Sequence, residues 1–474
     1  MFSRLFNLFT RKQKTPARPK QAIHPITTDD HAYTQLNQLA PVLNHDDMRS
    51  SLSNNDADVI NANATHTSVV YREAILNKAQ KIAGYSFTLS RKINLRMFAS
   101  SNDVQRLYYE VLLKNIISMN IQRLLGHRLA FIPIFPATLT HPLLKKLPAT
   151  GTVLVVNNLA QLTTENKTTL PQILALKQAG FHIALQGDIH TPGMQPFLEL
   201  AEYIFIDIGG SNLQAITSQI NEITTHLFNK RLVATNVRTL DEYHVCANLP
   251  FHYIQGTFVT SRAAWTKPSM DAGRIKILEL LNRIRQDAEN LELAQAIKLD
   301  PALSFKLLRY INSAGTGLTT KISAIDQALM VLGQQNIYRW LTMQLFISGT
   351  GSALDLALME NALVRARLAE LCATDALSMK ERDELFVTGI FSLLDILLRI
   401  PMEQALAQIS LPPMAIEALL HKTGKYAPYL ELATACETFN QEHIAEISSQ
   451  LGIDITQVNT YHADALIWAY EVSN

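Results

Sequence analysis

Residues 299–341, LDPALSFKLLRYINSAGTGLTTKISAIDQALMVLGQQNIYRWL, decide the fold of the second half of the chain. Asp300 can cap a helix whose first residue is Pro301, where the missing backbone N–H of proline costs nothing. The leucines that follow recur at helical spacing and predict one apolar face. Ser323 is predicted to cap a second helix that ends near Gly333, and a third helix follows. The pattern therefore predicts a packed helical unit.

The string DPALSFKLLRYINSA…ISAIDQALMVLG…RWL resembles the opening of the HDOD domain, a module of bacterial signalling proteins. This module is related to the HD phosphohydrolases but lacks their catalytic metal site. From residue 269 onward the histidines are His421, His443 and His462, and none precedes the aspartate that an HD metal site requires. The resemblance implies that residues 269–474 form an all-helical, regulatory domain without catalysis.

Composition sets the class of protein. With 474 residues the chain is long enough for two or three domains. Lys and Arg number 42 against 41 Asp and Glu, so we expect no nucleic-acid partner. Cys246, Cys372 and Cys436 lack metal-ligand spacing and are predicted to be buried free thiols of a reducing cytoplasm. No run reaches the ~18 apolar residues of a membrane span. The sequence thus predicts a cytoplasmic protein.

Residues 1–67 are predicted to be an N-terminal tail and linker. Residues 1–14, MFSRLFNLFTRKQK, place four apolar side chains on one helical face beside basic residues. Three alternatives stay open for this segment: peripheral contact with an anionic membrane surface, binding in a partner's groove, or a frayed tail. The polar and proline-containing residues 15–67 bury too little apolar surface to offset chain entropy, which favours a linker.

Residues 68–268 alternate strands and helices. The strands are short apolar runs rich in β-branched residues: YSFTLS (85–90), AFIPIF (130–135), GTVLVVN (151–157), FHIALQ (181–186), YIFIDI (203–208), RLVATNV (231–237) and FHYIQG (251–256). Continuous apolar strands separated by helices indicate a parallel sheet that is covered on both sides. At least seven such strands favour a closed (β/α) barrel. The predicted fold is therefore an α/β barrel followed by an all-α domain.

The two ends of this half, REAILNKAQKIAGYSF (72–87) and YIQGTFVTSR (253–262), resemble the opening and closing strands of the EAL domain. That domain is a barrel that hydrolyses the bacterial second messenger cyclic di-GMP, and its joining to an HDOD domain is a familiar bacterial architecture. The family holds two divalent metals with side chains at the C-terminal ends of barrel strands. The resemblance places the following residues at its metal and base positions: Ser86, Pro133, Val155, Gln186, Gly187, Phe205, Thr235 and Arg238.

Asp207 and Gln255 remain of the family's pattern, either as remnants of the site or for structural hydrogen bonds. Because hard cations need several oxygen ligands, the losses predict a degenerate EAL domain that is not an enzyme and has no metal or cofactor. We expect no cyclic di-GMP binding, and we predict a scaffold that binds other signalling proteins. Two alternatives stay open: a receptor that holds cyclic di-GMP through Arg238 and Gln255, and an active phosphodiesterase.

The residues predicted to contact a partner lie in the helical half: Arg309, Asn312, Ser313, Arg339 and Trp340. Arginine and tryptophan are the side chains that most often anchor protein interfaces. The alternative for Trp340 is a core aromatic at helical spacing. The alternative for Asn312 and Ser313 is that they cap a helix and turn the chain.

Overall fold

The computed structural model describes residues 69–89, 102–119, 121–209, 216–217, 220–221, 223, 229–262, 271–312, 322–348, 353–438 and 441–473. The predicted tail and linker and the candidate Ser313 lie outside these residues. The described part divides into two compact units. One unit contains the described residues up to Arg262 together with those of 431–463, and the other contains 271–430 and 464–473.

Eight strands close into a barrel in the order of the sequence. They are β1 (Tyr71–Asn77), β2 (Ile82–Thr88), β3 (Leu129–Ile134), β4 (Thr152–Val156), β5 (His182–Gln186), β6 (Tyr203–Asp207), β7 (Arg231–Val237) and β8 (Tyr253–Gly256). β1 runs antiparallel to both of its neighbours, and all other pairs are parallel. The predicted closed barrel is confirmed, and one end of it collects the C-terminal ends of β2 to β8.

The interior of the barrel is apolar. Its core is made by Ile75, Phe131, Val153, Val155, Ala184, Tyr203, Phe205 and Val233. Successive side chains of a strand point to opposite faces, so residues two positions away from these also face inward. At the end of the barrel where β2 to β8 end and the antiparallel β1 begins, the inward positions change from apolar to polar: Glu73, Gln186, Asp207, Thr235 and Gln255. The barrel thus has an apolar floor beneath a polar mouth.

The helices fully bounded among the described residues of this part are α1 (Asn102–Ser118), α2 (Ile121–Leu125), α3 (Leu159–Thr164), α4 (Asn166–Gln178), α5 (Gln195–Leu200) and α6 (Leu240–Ala247). Short 3₁₀ turns occupy Pro136–Thr138, Pro142–Lys146, Ala149–Gly151 and Phe258–Thr260. The start of α6 is fixed by a capping box, in which Thr239 Oγ1 accepts from the Glu242 N–H at 3.2 Å and the Glu242 carboxylate accepts from the Thr239 N–H. This box holds the chain that leaves β7.

From residue 271 onward, the described residues are mainly helical. The helices are α7 (Ala272–Arg285), α8 (Asn290–Lys298), α9 (Pro301–Ile311), α10 (Ile325–Ile347), α11 (Ala353–Cys372), α12 (Met379–Phe391), α13 (Leu394–Leu398), α14 (Met402–Leu406), α15 (Pro413–Ile416), α16 (Ala427–Ala435), α17 (Gln441–Gln450) and α18 (Ile455–Ser473), with one π-helical turn at Glu417–His421. The predicted all-helical second half is confirmed. Among the described residues, no helix combines the length and apolar composition that a membrane span requires.

The local predictions for residues 299–341 are mostly confirmed. Asp300 caps α9, since its Oδ1 accepts from the Leu303 N–H at 2.9 Å, and Pro301 is the first helical residue. Gly333 interrupts α10 with φ 72° and ψ 160°. The prediction that Ser323 caps the second helix is wrong, because α10 begins one residue later than assumed and Ala324 precedes it without a side-chain cap. The described residues of 299–341 therefore form the predicted helical unit, and only the predicted N-cap of its second helix was wrong.

The three cysteines are free and buried, as predicted. Burial raises the pKa of the Cys372 thiol to about 12 and that of Cys246 to about 11. Thiols with such high pKa values are poor nucleophiles at neutral pH, because only the thiolate reacts. They serve packing.

Candidate ligand site at the barrel mouth

A cavity of about 560 Å³ opens at the C-terminal ends of β4, β5 and β6. Its lining combines polar side chains with apolar ones: Asn158, Leu159, Ala160, Gln186, Gly187, Asp188, Thr191, Phe205, Ile206 and Asp207. Small-molecule sites in proteins are typically about 300–1,000 Å³ in volume and carry a few well-placed polar groups on an apolar surface. The position also agrees with the general location of sites on α/β barrels. The mouth is therefore the candidate ligand site of the barrel.

Asp207 and Gln186 are the polar groups at the centre of this lining. Asp207 ends β6 and is exposed, and its Oδ1 accepts from the Gly209 N–H at 2.8 Å. Gln186 ends β5 and lies beside Phe205 in the strand register. Phe205 is 4% exposed and forms part of the apolar floor. The arrangement offers hydrogen-bond donors and acceptors above an aromatic surface.

Two asparagines at strand ends have left-handed backbone conformations. Asn158 follows β4 with φ 57°, and Asn236 lies within β7 with φ 63°, where the pairing with β8 shifts register. Asparagine tolerates this region better than most residues. Asn236 also packs so closely on Gly209 that a Cβ there would lie 1.9 Å from its Nδ2. The sequence alone did not reveal the role of Asn236, since this residue belongs to no apolar period.

Asn236 and Glu242 hold Arg238, which follows β7 directly. The Arg238 Nε donates to Asn236 Oδ1 at 3.2 Å, and the Arg238 backbone N–H donates to Glu242 Oε2 at 2.6 Å. The Arg238 side chain is exposed. Because β5, β6 and β7 are parallel, Arg238 lies at the same edge of the barrel as Gln186 and Asp207.

Gln255 bonds to an acid that the sequence reading missed. Its Nε2 donates to Glu73 Oε2 at 2.6 Å, although the two residues are 182 positions apart. Glu73 is buried on β1, two positions before the core residue Ile75. A carboxylate in the inward phase of an otherwise apolar strand was the available signal. The bond closes the barrel between β1 and β8 and supports the structural alternative for Gln255.

The positions predicted to have lost metal ligands are spread around the same mouth. Strand register places Ser86, Pro133 and Val155 on the inward face, and Thr235 pairs with Asp207. Val155 and Phe205 belong to the barrel core, and Gly187 has φ 139°. The Thr235 hydroxyl donates to the Ile206 carbonyl at 3.3 Å. The structure therefore brings these residues together as neutral lining.

The residues at the mouth do not fit a two-metal site. Hard divalent cations take six or more oxygen ligands, usually including several carboxylates. Nowhere in the described part of the chain do three His, Cys, Asp or Glu side chains form a group that could hold a metal ion. Of the two inward carboxylates, Asp207 accepts from Gly209 and Glu73 accepts from Gln255. We derive no chemical step through a metal at this site.

The candidate partner residues of the helical half differ in burial. Trp340 is 0% exposed and stacks on Tyr310 with ring centroids 6.0 Å apart, so it serves the core rather than an interface. The Asn312 carboxamide bridges the Leu308 and Ile322 carbonyls and accepts from the Ile322 N–H, which closes a turn of the chain. Arg309 is exposed. Burial thus corrects the assignment of Trp340 as an exposed anchor.

Arg339 is also buried, with 8% of its side chain exposed. It pairs with Glu370 at 3.1 Å and with Asp383, and its guanidinium lies 4.3 Å from the ring centroid of Phe386. Burial opposes ionisation of Glu370, but Arg339 and Arg367 outweigh it and hold the pKa of that carboxyl below its usual range. This ionic network borders a second cavity of about 570 Å³ in the helical unit.

Comparison with known proteins supports the architecture. Residues 268–411 match the HDOD domain family, so the predicted HDOD domain is confirmed. The chain is 25% identical over 409 residues to "Cyclic di-GMP phosphodiesterase CdgJ" of Vibrio cholerae, which covers 86% of this chain and 94% of that protein. It is 25% identical over 419 residues to "Uncharacterized protein YuxH" of Bacillus subtilis, covering 85% and 98%. An EAL domain protein of Listeria monocytogenes has a similar structure, with 12% identity, a TM-score of 0.33, and coverage of 44% of this chain and 93% of that one.

The similarity to CdgJ overturns one prediction from the sequence. The chain was predicted not to be an enzyme, yet a relative that aligns with 86% of it is named a cyclic di-GMP phosphodiesterase. The same finding counts against the expectation that the barrel does not bind cyclic di-GMP. The reason for the error is that motif positions were judged one at a time, whereas the similarity extends over both halves. The predicted degeneracy of the EAL-like barrel stays a prediction.

Proposed function

We propose that this chain acts in cyclic di-GMP signalling by binding cyclic di-GMP at the mouth of its barrel. The observation that carries the proposal is the polar cavity at the ends of β4 to β6, which is bordered by Asn158, Gln186 and Asp207. The similarity to a cyclic di-GMP phosphodiesterase over most of both chains supports the choice of ligand.

The mouth offers groups that suit each part of such a ligand. Guanine presents N–H donors and carbonyl and ring-nitrogen acceptors on its edges, and the carboxamides of Asn158 and Gln186 carry both kinds of partner. The Asp207 carboxylate accepts from N–H groups, and the ring of Phe205 lies in the floor. The Arg238 guanidinium suits a phosphate oxygen. The proposed site therefore combines a pocket for base recognition with a cation at the same edge of the barrel for the phosphodiester.

Hydrolysis of cyclic di-GMP is the second candidate function. The name of the relative CdgJ favours it, and the similarity covers 86% of this chain. Binding and hydrolysis are separable in one experiment, because the linear dinucleotide product is resolved from the cyclic ligand by chromatography. We therefore keep turnover as a measured outcome of the test below.

We assign contact with other signalling proteins to the HDOD domain. Of the predicted contact residues within the described part of the chain, Arg309 on α9 has the exposure that an interface anchor needs. A mutation that removes its guanidinium, Arg309→Ala, should weaken capture of a native partner and leave cyclic di-GMP binding unchanged. Loss of ligand binding in that variant would contradict this division of roles.

The test is titration calorimetry of the full-length protein with cyclic di-GMP, followed by chromatography of the mixture. We expect a 1:1 binding heat and a rise in melting temperature, since a ligand that binds only the folded state stabilises it. Gln186→Ala should weaken binding. Its matched control is Gln178→Ala, because Gln178 ends α4 before β5 begins, at the far end of the barrel. Absence of both heat and thermal stabilisation would refute the proposed function.

A further inference from the structure

We propose that the barrel mouth binds its cyclic dinucleotide without a divalent metal ion, and that the guanidinium of Arg238 supplies the positive charge for the phosphate. This inference rests on the proposed function and specifies its chemistry. It concerns how the site works, and the experiment below separates its failure from a failure of the proposed function.

The donor set at the mouth is the first reason. Five inward or mouth positions carry no ionisable group: Ser86, Pro133, Val155, Gln186 and Thr235. The carboxylates at the mouth, Asp207, Glu73 and Asp188, each already accept a hydrogen bond from the protein. Magnesium keeps several waters and is bound by carboxylates together with ligand phosphates, but among the described residues no three His, Cys, Asp or Glu side chains form a group that could hold a metal ion. A dianionic ligand therefore needs another source of positive charge.

Arg238 is the cation at the right edge of the barrel. It follows β7 directly, so it lies at the end where Asp207 and Gln186 also lie. Its Nε donates to Asn236 Oδ1, and this bond fixes one edge of the guanidinium. Within the described residues, the two terminal nitrogens of Arg238 make no side-chain hydrogen bond or ion pair. Two parallel N–H donors in this geometry match the oxygens of a phosphodiester.

The backbone around Arg238 is unusual in a way that serves this role. Asn236 adopts φ 63° inside a strand, at a shift in register between Ala234 and Val237. Such conformations are strained and persist where the surroundings enforce them, often at ligand sites. Here Gly209 provides the space for the Asn236 carboxamide, and Glu242 binds the Arg238 N–H. Three residues from three segments, Gly209, Asn236 and Glu242, thus position Arg238.

The decisive experiment measures binding of cyclic di-GMP to the full-length protein by titration calorimetry, first with excess EDTA and then with Mg²⁺, Mn²⁺ or Ca²⁺. We expect the dissociation constants to agree within about threefold. As a control, a metal-dependent cyclic di-GMP phosphodiesterase is assayed in the same buffers. Its inactivity in EDTA shows that the chelation of metal ions is complete. Binding that needs a metal would overturn the inference and leave the proposed function intact. No binding in any buffer would refute the proposed function itself.

The role of Arg238 is tested in EDTA with two variants. Arg238→Gln should weaken binding by about 10- to 100-fold, the loss expected for a charge-assisted hydrogen-bond pair. Arg238→Lys keeps the charge without the paired donors and should bind with intermediate affinity. The control is Lys78→Gln, which removes an exposed cation from the turn between β1 and β2, at the opposite end of the barrel. Unchanged affinity in Arg238→Gln with an unchanged melting temperature would refute the assignment.

Discussion

Two arginines, one in each half of the chain, show how surroundings decide what the same side chain does. Arg339 lies in the helical unit, 8% exposed, between Glu370 and Asp383 and against the face of Phe386. Arg238 lies at the barrel mouth, exposed, with one nitrogen bound to a neutral carboxamide. The charge of Arg339 is satisfied within the protein, whereas the charge of Arg238 is available to a ligand. An arginine in a sequence therefore indicates a polar contact, but the sequence does not show whether its partner is a residue of the protein or a ligand.

The largest effect we predict is the loss of stability in Arg339→Ala. Removing this guanidinium takes an ion-pair partner from the half-buried Asp383 and leaves Glu370 with Arg367 alone. Breaking a buried ion pair from one side costs about 3–5 kcal/mol. The urea concentration at the midpoint of unfolding, monitored through a signal of the helical unit, should therefore be lower for Arg339→Ala than for the wild type. Arg309→Ala is the matched control, since an exposed arginine on α9 should change stability by no more than about 0.5 kcal/mol. Equal midpoints for the two variants would break the comparison.

A smaller effect concerns His462, a buried residue of the barrel unit. Its side chain is neutral, whereas the buried side chain of Arg339 is charged. Burial, aided by the nearby charge of Arg72, lowers the pKa of His462 to about 3. In the unfolded chain this histidine takes up a proton near pH 6.5, whereas in the folded chain it stays neutral until the pH approaches 3. Its contribution to the free energy of unfolding is therefore fully present above pH 6.5 and decreases as the pH falls toward 3. At pH 5 the loss should be about 2 kcal/mol.

The measurement is urea unfolding of the wild type and of His462→Gln at pH 7 and pH 5. The variant should be less stable at pH 7, because the buried imidazole packs there, but its stability should change less between the two pH values. A wild type and a variant that lose the same free energy on acidification would show that His462 does not titrate in this way.

The smallest predicted effect sharpens the comparison at the mouth. Asn236→Ala removes the acceptor of the Arg238 Nε and places a residue without a polar side chain in a left-handed conformation. We expect a loss of about 1–2 kcal/mol in stability, because only glycine and asparagine visit this region readily. Asn236→Gly should recover most of the stability but not the affinity for cyclic di-GMP, since it restores the backbone and not the acceptor. Melting temperature and calorimetry together distinguish the two contributions.

Much of the fold was predictable because its signals are periodic and local. Apolar runs separated by helices predicted the closed barrel, and Asp300 followed by Pro301 predicted the start of α9. The depth of burial was not predictable, since a helical period indicates a face but not what covers it. Trp340 and its neighbour Arg339 on α10 are both buried, whereas Arg309 on α9 is exposed.

The site depends on contacts between distant residues, which a single sequence does not encode in any visible pattern. Glu73 meets Gln255 across the closing seam of the barrel, and Gly209 meets Asn236 across two strand ends. The inward position of the candidate residues at the mouth could be inferred from strand alternation. Their hydrogen-bond partners could not, and these partners decide which groups remain free for a ligand.

At the break in α10, the backbone torsion angles of Gly333, and not the space around it, restrict which residue can stand there. No atom lies within 4 Å of the place where a Cβ would be, yet φ 72° with ψ 160° is a combination that L-residues avoid. An L-alanine at this position should therefore straighten the helix or strain it, although it has room to fit. A D-alanine introduced by chemical ligation should be accommodated without either effect, because its mirror-image torsional preferences include this extended geometry.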